Sequence, residues 1–479
     1  MNRDSANTNG ESASDQSPAA TGWWSGPSGG REILWLAFPM VISSLSWTVL
    51  SFIDRIFLFH WSEQALAAVF PASLFWWTSI SIAIGTCVYV QTFVAQYSGA
   101  KHNERIGPIV WQGIWLALLI SPLMLLLIPL APSIFGMAGH APEITSEEVT
   151  YFCYLTLGTP ALLISNALSS FFSGRGQTWI VMLVDAGAAV VNIVLDYWWI
   201  FGGLGLPAYG VAGAALATVV AFYAKLLVYG WLFLRPVNRR EFRTDDWRFR
   251  MPQMTRLLSY GGPGGVQYLL EAGGFTAFVF LVGRLGQTEL AATNLAFNIS
   301  SFAFMPVFGF GAAVSILVGN RLGSNEVSLA SRAVWNSLFI TLLYMVLISL
   351  GYLFVPDLFL LGIRTEDPNS SRLEARELAI ILLRYVAAYN VFDALNMIFV
   401  SAIKGAGDTR FVMAASLLMG GLLAVVTWFG IQWFGFGLHA CWTWVTIWVC
   451  LLGLIYWARF AQGSWKTKRV IEPELLSPE

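Results

Sequence analysis

Apolar side chains fill this chain in runs of twenty or more positions, broken by short polar stretches marked with glycine, proline or charge. A helix needs about 20 mostly apolar residues to cross a bilayer, and a helix satisfies its own backbone groups where no water can. The pattern predicts about twelve spanning helices, near 32–59, 66–97, 109–134, 149–172, 179–201, 210–234, 256–283, 289–319, 332–355, 378–403, 410–434 and 437–460. The expected fold class is an all-α polytopic membrane protein. Composition agrees: 56% of the 479 residues are hydrophobic and 11% charged, far from the balance of a soluble globular chain.

The runs repeat. Pro39 matches Pro263, Leu66-Ala67-Ala68 matches Leu290-Ala291-Ala292, and Gly85, Gly99 and Trp111 match Gly309, Gly323 and Trp335, all at an offset of 224. A second pair, Gly174–Thr178 and Gly405–Thr409, lies 231 positions apart. Two repeats suggest two six-helix lobes whose rocking gives alternating access to a site between them, as in secondary transporters. The expected layout is a disordered cytoplasmic tail over 1–30, an N-terminal lobe over 31–234, a basic cytoplasmic linker over 235–256, a C-terminal lobe over 257–461 and a cytoplasmic tail over 462–479. Residues 1–30 are rich in Ser, Asn and Gly and lack the apolar core of a signal peptide.

Charge orients this scheme. With both termini inside, 20 of the 27 basic residues fall in inner segments, seven of them in the linker (Arg235, Arg239, Arg240, Arg243, Arg248, Arg250 and Arg256). Five, Arg284, Arg364, Arg372, Arg376 and Arg384, fall outside, and Arg55 and Lys225 lie within helices. The positive-inside rule therefore places both termini in the cytoplasm, with the loops 139–148 and 365–377 outside. Topology accounts for the basic linker, and a net charge of −1 gives no sign of nucleic-acid binding. The four cysteines, Cys87, Cys153, Cys441 and Cys450, sit in apolar runs without CxxC spacing and are read as packing residues. No cofactor is expected.

Ionisable residues inside helices carry the sharpest signal, because each costs about 2.5–3.5 kcal/mol or more at the bilayer centre. Asp54 and Asp196 each lie six residues before the outer end of a helix, about 9 Å below the surface at 1.5 Å per residue. Asn192 precedes Asp196 by four and shares its face. A carboxylate pair with an adjacent amide suits a proton or a dehydrated monovalent cation. Glu271 and Asp393 lie roughly 20 Å from the outer surface on different helices, with Tyr389 one turn from Asp393. They suggest a second cation site or the acidic wall of a drug cavity. Asp54 and Asp196 could instead pair or snorkel near the headgroups, whereas Glu271 and Asp393 are too deep for that and have no basic residue at their depth in their own helices. Lys225 and Asp185 read as a structural pair.

Pro39 and Pro263 open the two repeats, and Pro122, Pro160 and Pro306 interrupt other helices. Each removes a backbone hydrogen bond and bends its helix, so Pro39 and Pro263 are hinge candidates or ordinary bends. The 22 tryptophans divide between interfacial belts and cavity walls able to hold flat cations, without any one being assignable to substrate.

At these residues the chain resembles the multidrug and toxic compound extrusion family over about 31–461. The resemblance rests on Ile53-Asp54 followed by Leu66-Ala67-Ala68-Val69, the glycine-rich turns Gly174–Thr178 and Gly405–Thr409, and Asn192-Ile193-Val194-Leu195-Asp196. Pro263 with Glu271, and Tyr389 with Asp393, look like the cation positions of the NorM-type branch. Asp54, Asn192 and Asp196 look like the amino-terminal-lobe site of the DinF-type branch. The resemblance implies a V-shaped pair of six-helix lobes exporting organic cations in exchange for H+ or Na+. Arg55, where the family commonly has a small polar residue, departs from the pattern, as does the presence of acids in both lobes.

The expected function is secondary antiport of cationic aromatic compounds, by a monomer in contact with membrane lipid in a bacterial inner membrane. One charge moving down about 150 mV supplies about 3.5 kcal/mol, enough for a gradient of roughly a few hundred-fold. No GxxxxGK[ST] motif points to ATP. Two alternatives stand beside it. A lipid-linked oligosaccharide flippase of the same broad superfamily would want arginines rather than acids in its cavity, and a polytopic membrane enzyme would want a motif such as HExxH or GxSxG, which the chain lacks.

Overall fold

The computed structural model describes residues 22–137, 139–203, 205, 207–360 and 371–476. Most of the expected N-terminal tail, Arg364, the loop 365–370 and the last three residues lie outside the described residues. Among the described residues twelve helices are long and apolar enough to cross a membrane: α1 (Gly30–Trp61), α2 (Glu63–Gly99), α3 (Asn103–Leu125), α4 (Pro142–Gly174), α5 (Thr178–Phe201), α6 (Val211–Phe233), α7 (Met251–Gly283), α8 (Gln287–Gly323), α9 (Val327–Phe354), α10 (Leu373–Ala406), α11 (Thr409–Phe434) and α12 (Leu438–Ala461). Local chemistry sets their ends. Ser62 alone separates α1 from α2, and its hydroxyl accepts from the Gln64 and Ala65 N–H groups at 3.2 and 3.5 Å, the capping bond that opens a helix. Pro39, Pro122, Pro160, Pro263 and Pro306 all fall inside helices.

Among the described residues two large hydrophobic cores form, one per lobe, beside a small cluster of Val307, Met345 and Ala394, and the chain ends are exchanged between the large cores. The first core runs from Leu58 to Leu257 and takes in Val470 and Ile471; the second runs from Phe278 to Trp465 and takes in Ile33, Leu36 and Ala37. The first turns of α1 thus pack on the second lobe and the C-terminal tail on the first. Residues 22–29, expected as part of a disordered tail, are folded as well: Asn336 donates to the Ser28 carbonyl at 2.9 Å and Trp23 stacks edge-on against Phe339. These aromatic and hydrogen-bond contacts offset the ordering that their Ser- and Gly-rich neighbourhood disfavours.

The linker is held along α3. Trp111 and Trp115 donate their indole N–H groups to the Thr244 and Trp247 carbonyls at 2.8 Å. Gln112 donates to the Arg248 carbonyl and accepts from the Arg250 N–H, both at 3.0 Å, as a neighbouring peptide would. Arg256, counted with the linker, instead stands in the second turn of α7. Arg175 is clamped between the Phe171 and Phe242 rings at 3.7 and 4.2 Å; burial pushes its guanidinium down to about 10, against the opposing pull of Glu241.

The lobes meet at the end of the bundle that carries the linker, and the meeting follows the repeat. A methyl on Gly99 would stand 1.9 Å from the Asn320 carbonyl oxygen, and one on Gly323 would stand 2.1 Å from that of Gln96; both the glycines and their partners are 224 positions apart. Deeper in the bundle Gly85 abuts Gly265 and Gly309 abuts Val41, again equivalent pairs. Small residues let helix backbones approach this closely in a membrane.

Candidate functional site

The first group of acids is closed off from solvent. Asp54 on α1 and Asp196 on α5 are 6% and 0% exposed, and their side chains are in hydrogen-bond contact. With its amide nitrogen turned to Asp196, Asn192 donates to Asp196 Oδ2 at 2.9 Å while its oxygen accepts the Thr218 N–H at 3.0 Å. Asp196 Oδ1 has no donor. The buried Tyr151 lies within electrostatic reach of both acids. Arg55 is exposed, with Phe70 as its ring neighbour at 6.0 Å, and stays within electrostatic reach of Asp54. Two carboxyl groups in contact need a proton between them, since two bare carboxylates at that range repel.

The second group opens on a cavity of about 480 Å³. Glu271 on α7 and Tyr389 and Asp393 on α10 share its wall, so the structure brings together the acids that the sequence places on different helices. Each acid is oriented by an amide one turn away: Gln267 donates to Glu271 Oε1 at 2.7 Å, and Asn396 donates to Asp393 Oδ1 at 3.4 Å. Phe275, Phe297, Phe304, Phe308 and Trp448 supply apolar wall, and Met40, Ser44, Tyr89 and Thr92 of the first lobe close the inner side. Aromatic faces next to carboxylates suit flat organic cations.

Lys404 changes the expected charge of this cavity. One of the 20 basic residues counted in inner segments, it stands on the last turn of α10 and lines the cavity in electrostatic contact with Glu271. Its ammonium lies 5.0 Å from the Tyr268 ring. On their own helices the deep acids have no basic residue at their depth, but α10 continues past its glycine-marked edge and the Lys404 side chain reaches back from there into the cavity. The amides Gln267 and Asn396 also went unremarked, although their spacing from Glu271 and Asp393 is as legible as that of Asn192 from Asp196. Elsewhere Lys225 pairs with Asp185 at 2.7 Å, with Tyr229 donating to the same carboxylate at 3.1 Å, the structural arrangement the sequence suggests.

The floor of the cavity is where the lobes lock. Tyr89 donates to the Lys404 carbonyl at 2.9 Å and Gln96 Nε2 to the Gly405 carbonyl at 3.0 Å. Gln96 Oε1 accepts the Val470 N–H at 2.8 Å, and Glu472 receives both Tyr97 at 2.9 Å and Arg256 at 3.0 Å. The C-terminal tail therefore crosses from α12 to the first lobe as a strap over the closed end.

Comparison with known proteins agrees with this architecture. The MatE family model matches residues 39–198 and 263–429. The probable multidrug resistance protein NorM of Xanthomonas axonopodis pv. citri is 28% identical over 382 residues, 79% of this chain and 82% of that protein. The multidrug resistance protein PmpM of Pseudomonas aeruginosa is 29% identical over 393 residues, 81% of this chain and 80% of that one. Among solved structures, a MOP superfamily transporter from Pyrococcus furiosus and an outward-facing multidrug resistance MATE family transporter each superpose with a TM-score of 0.83 at 20% identity, covering 92% of this chain and 98% of theirs.

Proposed function

The chain belongs to the MatE family and is a cation-coupled multidrug efflux transporter; on that premise we propose that the coupling ion is H+, carried by Asp54 and Asp196, and that organic cations bind beside Glu271, Tyr389 and Asp393. The contact between the Asp54 and Asp196 carboxyls carries this reading. A shared proton satisfies two acids in contact without moving either, whereas a sodium ion would have to part them. Asn192 supports the pair by donating to Asp196 and holding it toward Asp54.

The cavity acids take the opposite role. Ionised Glu271 and Asp393 attract a cation through an aromatic throat, and fixed amide donors keep their lone pairs directed. This acidity disfavours a pyrophosphate-bearing lipid as cargo. With the linker end cytoplasmic, as the excess of arginine there favours, the chain described is closed to the cytoplasm. Proton entry from outside neutralises the first site, and the lobes part at the linker end by breaking the bonds of Tyr89 and Gln96. Pro39 and Pro263, at equivalent positions of α1 and α7, are the bends on which such rocking would turn. The two lobes, 31–234 and 257–461, move as bodies in this scheme, and the protein works as a monomer in the bacterial inner membrane.

Purified protein in liposomes tests the reading. A fluorescent organic cation should move against an imposed proton gradient and not against a sodium gradient alone. Sodium-driven movement would overturn the assignment of the ion, and movement under neither would overturn antiport of cations.

A further inference from the structure

We propose that the linker-side end of the second lobe holds a phosphate-binding site, a pocket of about 590 Å³ between α7, the start of α11 and the C-terminal tail. Its ligand is the phosphate of an anionic lipid headgroup or of a soluble phosphate ester. The pocket shares no lining residue with the acidic cavity. Four cations from three segments line it, Arg256 of α7, Arg410 of α11, and Lys468 and Arg469 of the tail, against the single carboxylate of Asp408. Counting the ion-pair partners of these residues, Arg459 on Asp408 and Glu472 on Arg256, five positive charges meet two negative ones. Among the described residues Arg410 makes no hydrogen bond and no ion pair, and the buried Nε of Arg469 has no acceptor. Guanidinium forks match phosphate oxygens two at a time.

The start of α11 adds to this field. Asp408 stands at its N-cap but turns its carboxylate to Arg459 and Lys468, at 2.9 and 2.5 Å, and makes no bond to the helix. The first N–H groups of this 26-residue helix therefore have no side-chain acceptor, and they favour a bound anion. The internal repeat shows that the fold does not require such a pocket. At the two offsets Ser259 and Arg410 correspond to Trp35 and Trp179, whose rings meet at 5.1 Å, and Arg256 corresponds to Glu32, which pairs with Arg321. The cation of the first lobe's own turn, Arg175, is taken up by the Phe171 and Phe242 rings. Where the first lobe packs two tryptophans, the second sets a serine and an arginine on an open basic pocket. Lipid can reach it. Thr255, on the pocket wall, shares a face of α7 with Leu258, which is 45% exposed one turn deeper, so an acyl chain has an apolar path along that helix. Basic pockets between helices on the cytoplasmic side hold anionic headgroups, and the linker side is cytoplasmic in the orientation proposed above. A bound phosphate relieves the repulsion among the four cations and fastens Lys468 and Arg469 of the tail to α7 and α11.

Delipidated full-length protein in detergent would be titrated with phosphatidylglycerol, phosphatidylcholine or glycerol 3-phosphate, and bound molecules counted by native mass spectrometry. The proteins compared are the wild type, Arg410→Gln, Arg469→Gln and Arg239→Gln, the last removing a linker cation outside the pocket. The expected result is that phosphatidylglycerol binds the wild type at least about tenfold more tightly than phosphatidylcholine, that each pocket variant loses about tenfold in that affinity, as loss of a charge-assisted contact implies, and that Arg239→Gln keeps it. This preference without binding of glycerol 3-phosphate assigns the site to lipid headgroups. Binding of glycerol 3-phosphate that the two pocket variants weaken assigns it to soluble phosphate. Equal affinity of the wild type for the two lipids, with no binding of glycerol 3-phosphate, overturns the site without any variant having to fold. Affinities left unchanged in both pocket variants, or lowered equally in Arg239→Gln, overturn it too.

Discussion

Gly99 presses its Cα against the Asn320 carbonyl of the opposite lobe, so closely that a methyl there would stand 1.9 Å from the oxygen. Gly323 does the same to Gln96. The glycines preserved at the 224-residue offset, Gly85 and Gly309 with Gly99 and Gly323, are therefore positions at which one lobe closes on the other.

Gly99→Val should leave the protein folded, because each lobe keeps its own core, while the added bulk costs the closed state about 1–3 kcal/mol. The linker ends should then stand apart in a tenfold or larger share of molecules. Spin labels at R239C and S324C would show a longer distance population, and an unchanged distribution would contradict the role given to Gly99.

Gln96→Ala should weaken the same closure by a different route. It strips partners from two backbone groups, the Gly405 carbonyl and the Val470 N–H, each worth about 1–3 kcal/mol when left buried. Hydrogen exchange at Val470 should accelerate at least tenfold while exchange within α4 stays as it was.

Asp54→Asn and Asp196→Asn should each reduce proton-driven export at least about tenfold, since one carboxyl cannot form the shared-proton pair. The residual transport should lose its dependence on external pH. Equilibrium binding of a cationic dye should change little, because neither side chain lines the cavity.

Glu271→Gln and Asp393→Asn should act on binding instead, weakening a cationic dye about tenfold each through loss of a charge partner. Full gradient-driven export in both variants, beside its loss in Asp54→Asn, would reduce the second pair to a structural role.

Arg175→Lys should lower thermal stability by about 1–3 kcal/mol. Lysine has no planar group to lie between Phe171 and Phe242, and it forfeits the bonds to the Phe171 carbonyl and Gln177 at 2.9 Å. Melting followed by tryptophan fluorescence in detergent would register the change, and transport at low temperature should be spared.

Sequence alone determined the number of spans, the two lobes and the four acids, because bilayer thickness imposes a minimum run of apolar residues and burial of charge in lipid is too costly to be incidental. Spacing within one helix was equally legible, so Asn192 could be set beside Asp196 and Tyr389 beside Asp393. Tertiary structure alone decided which helices face one another. Spanning helices that are apolar on nearly every side carry little amphipathic pattern, so their rotation is fixed by packing and not by a polar face. Hence the contact of Asp54 with Asp196, the turn of Lys404 into the acidic cavity, and the seating of Val470 and Ile471 in the opposite lobe's core emerge only when close-packed glycines bring distant helices together.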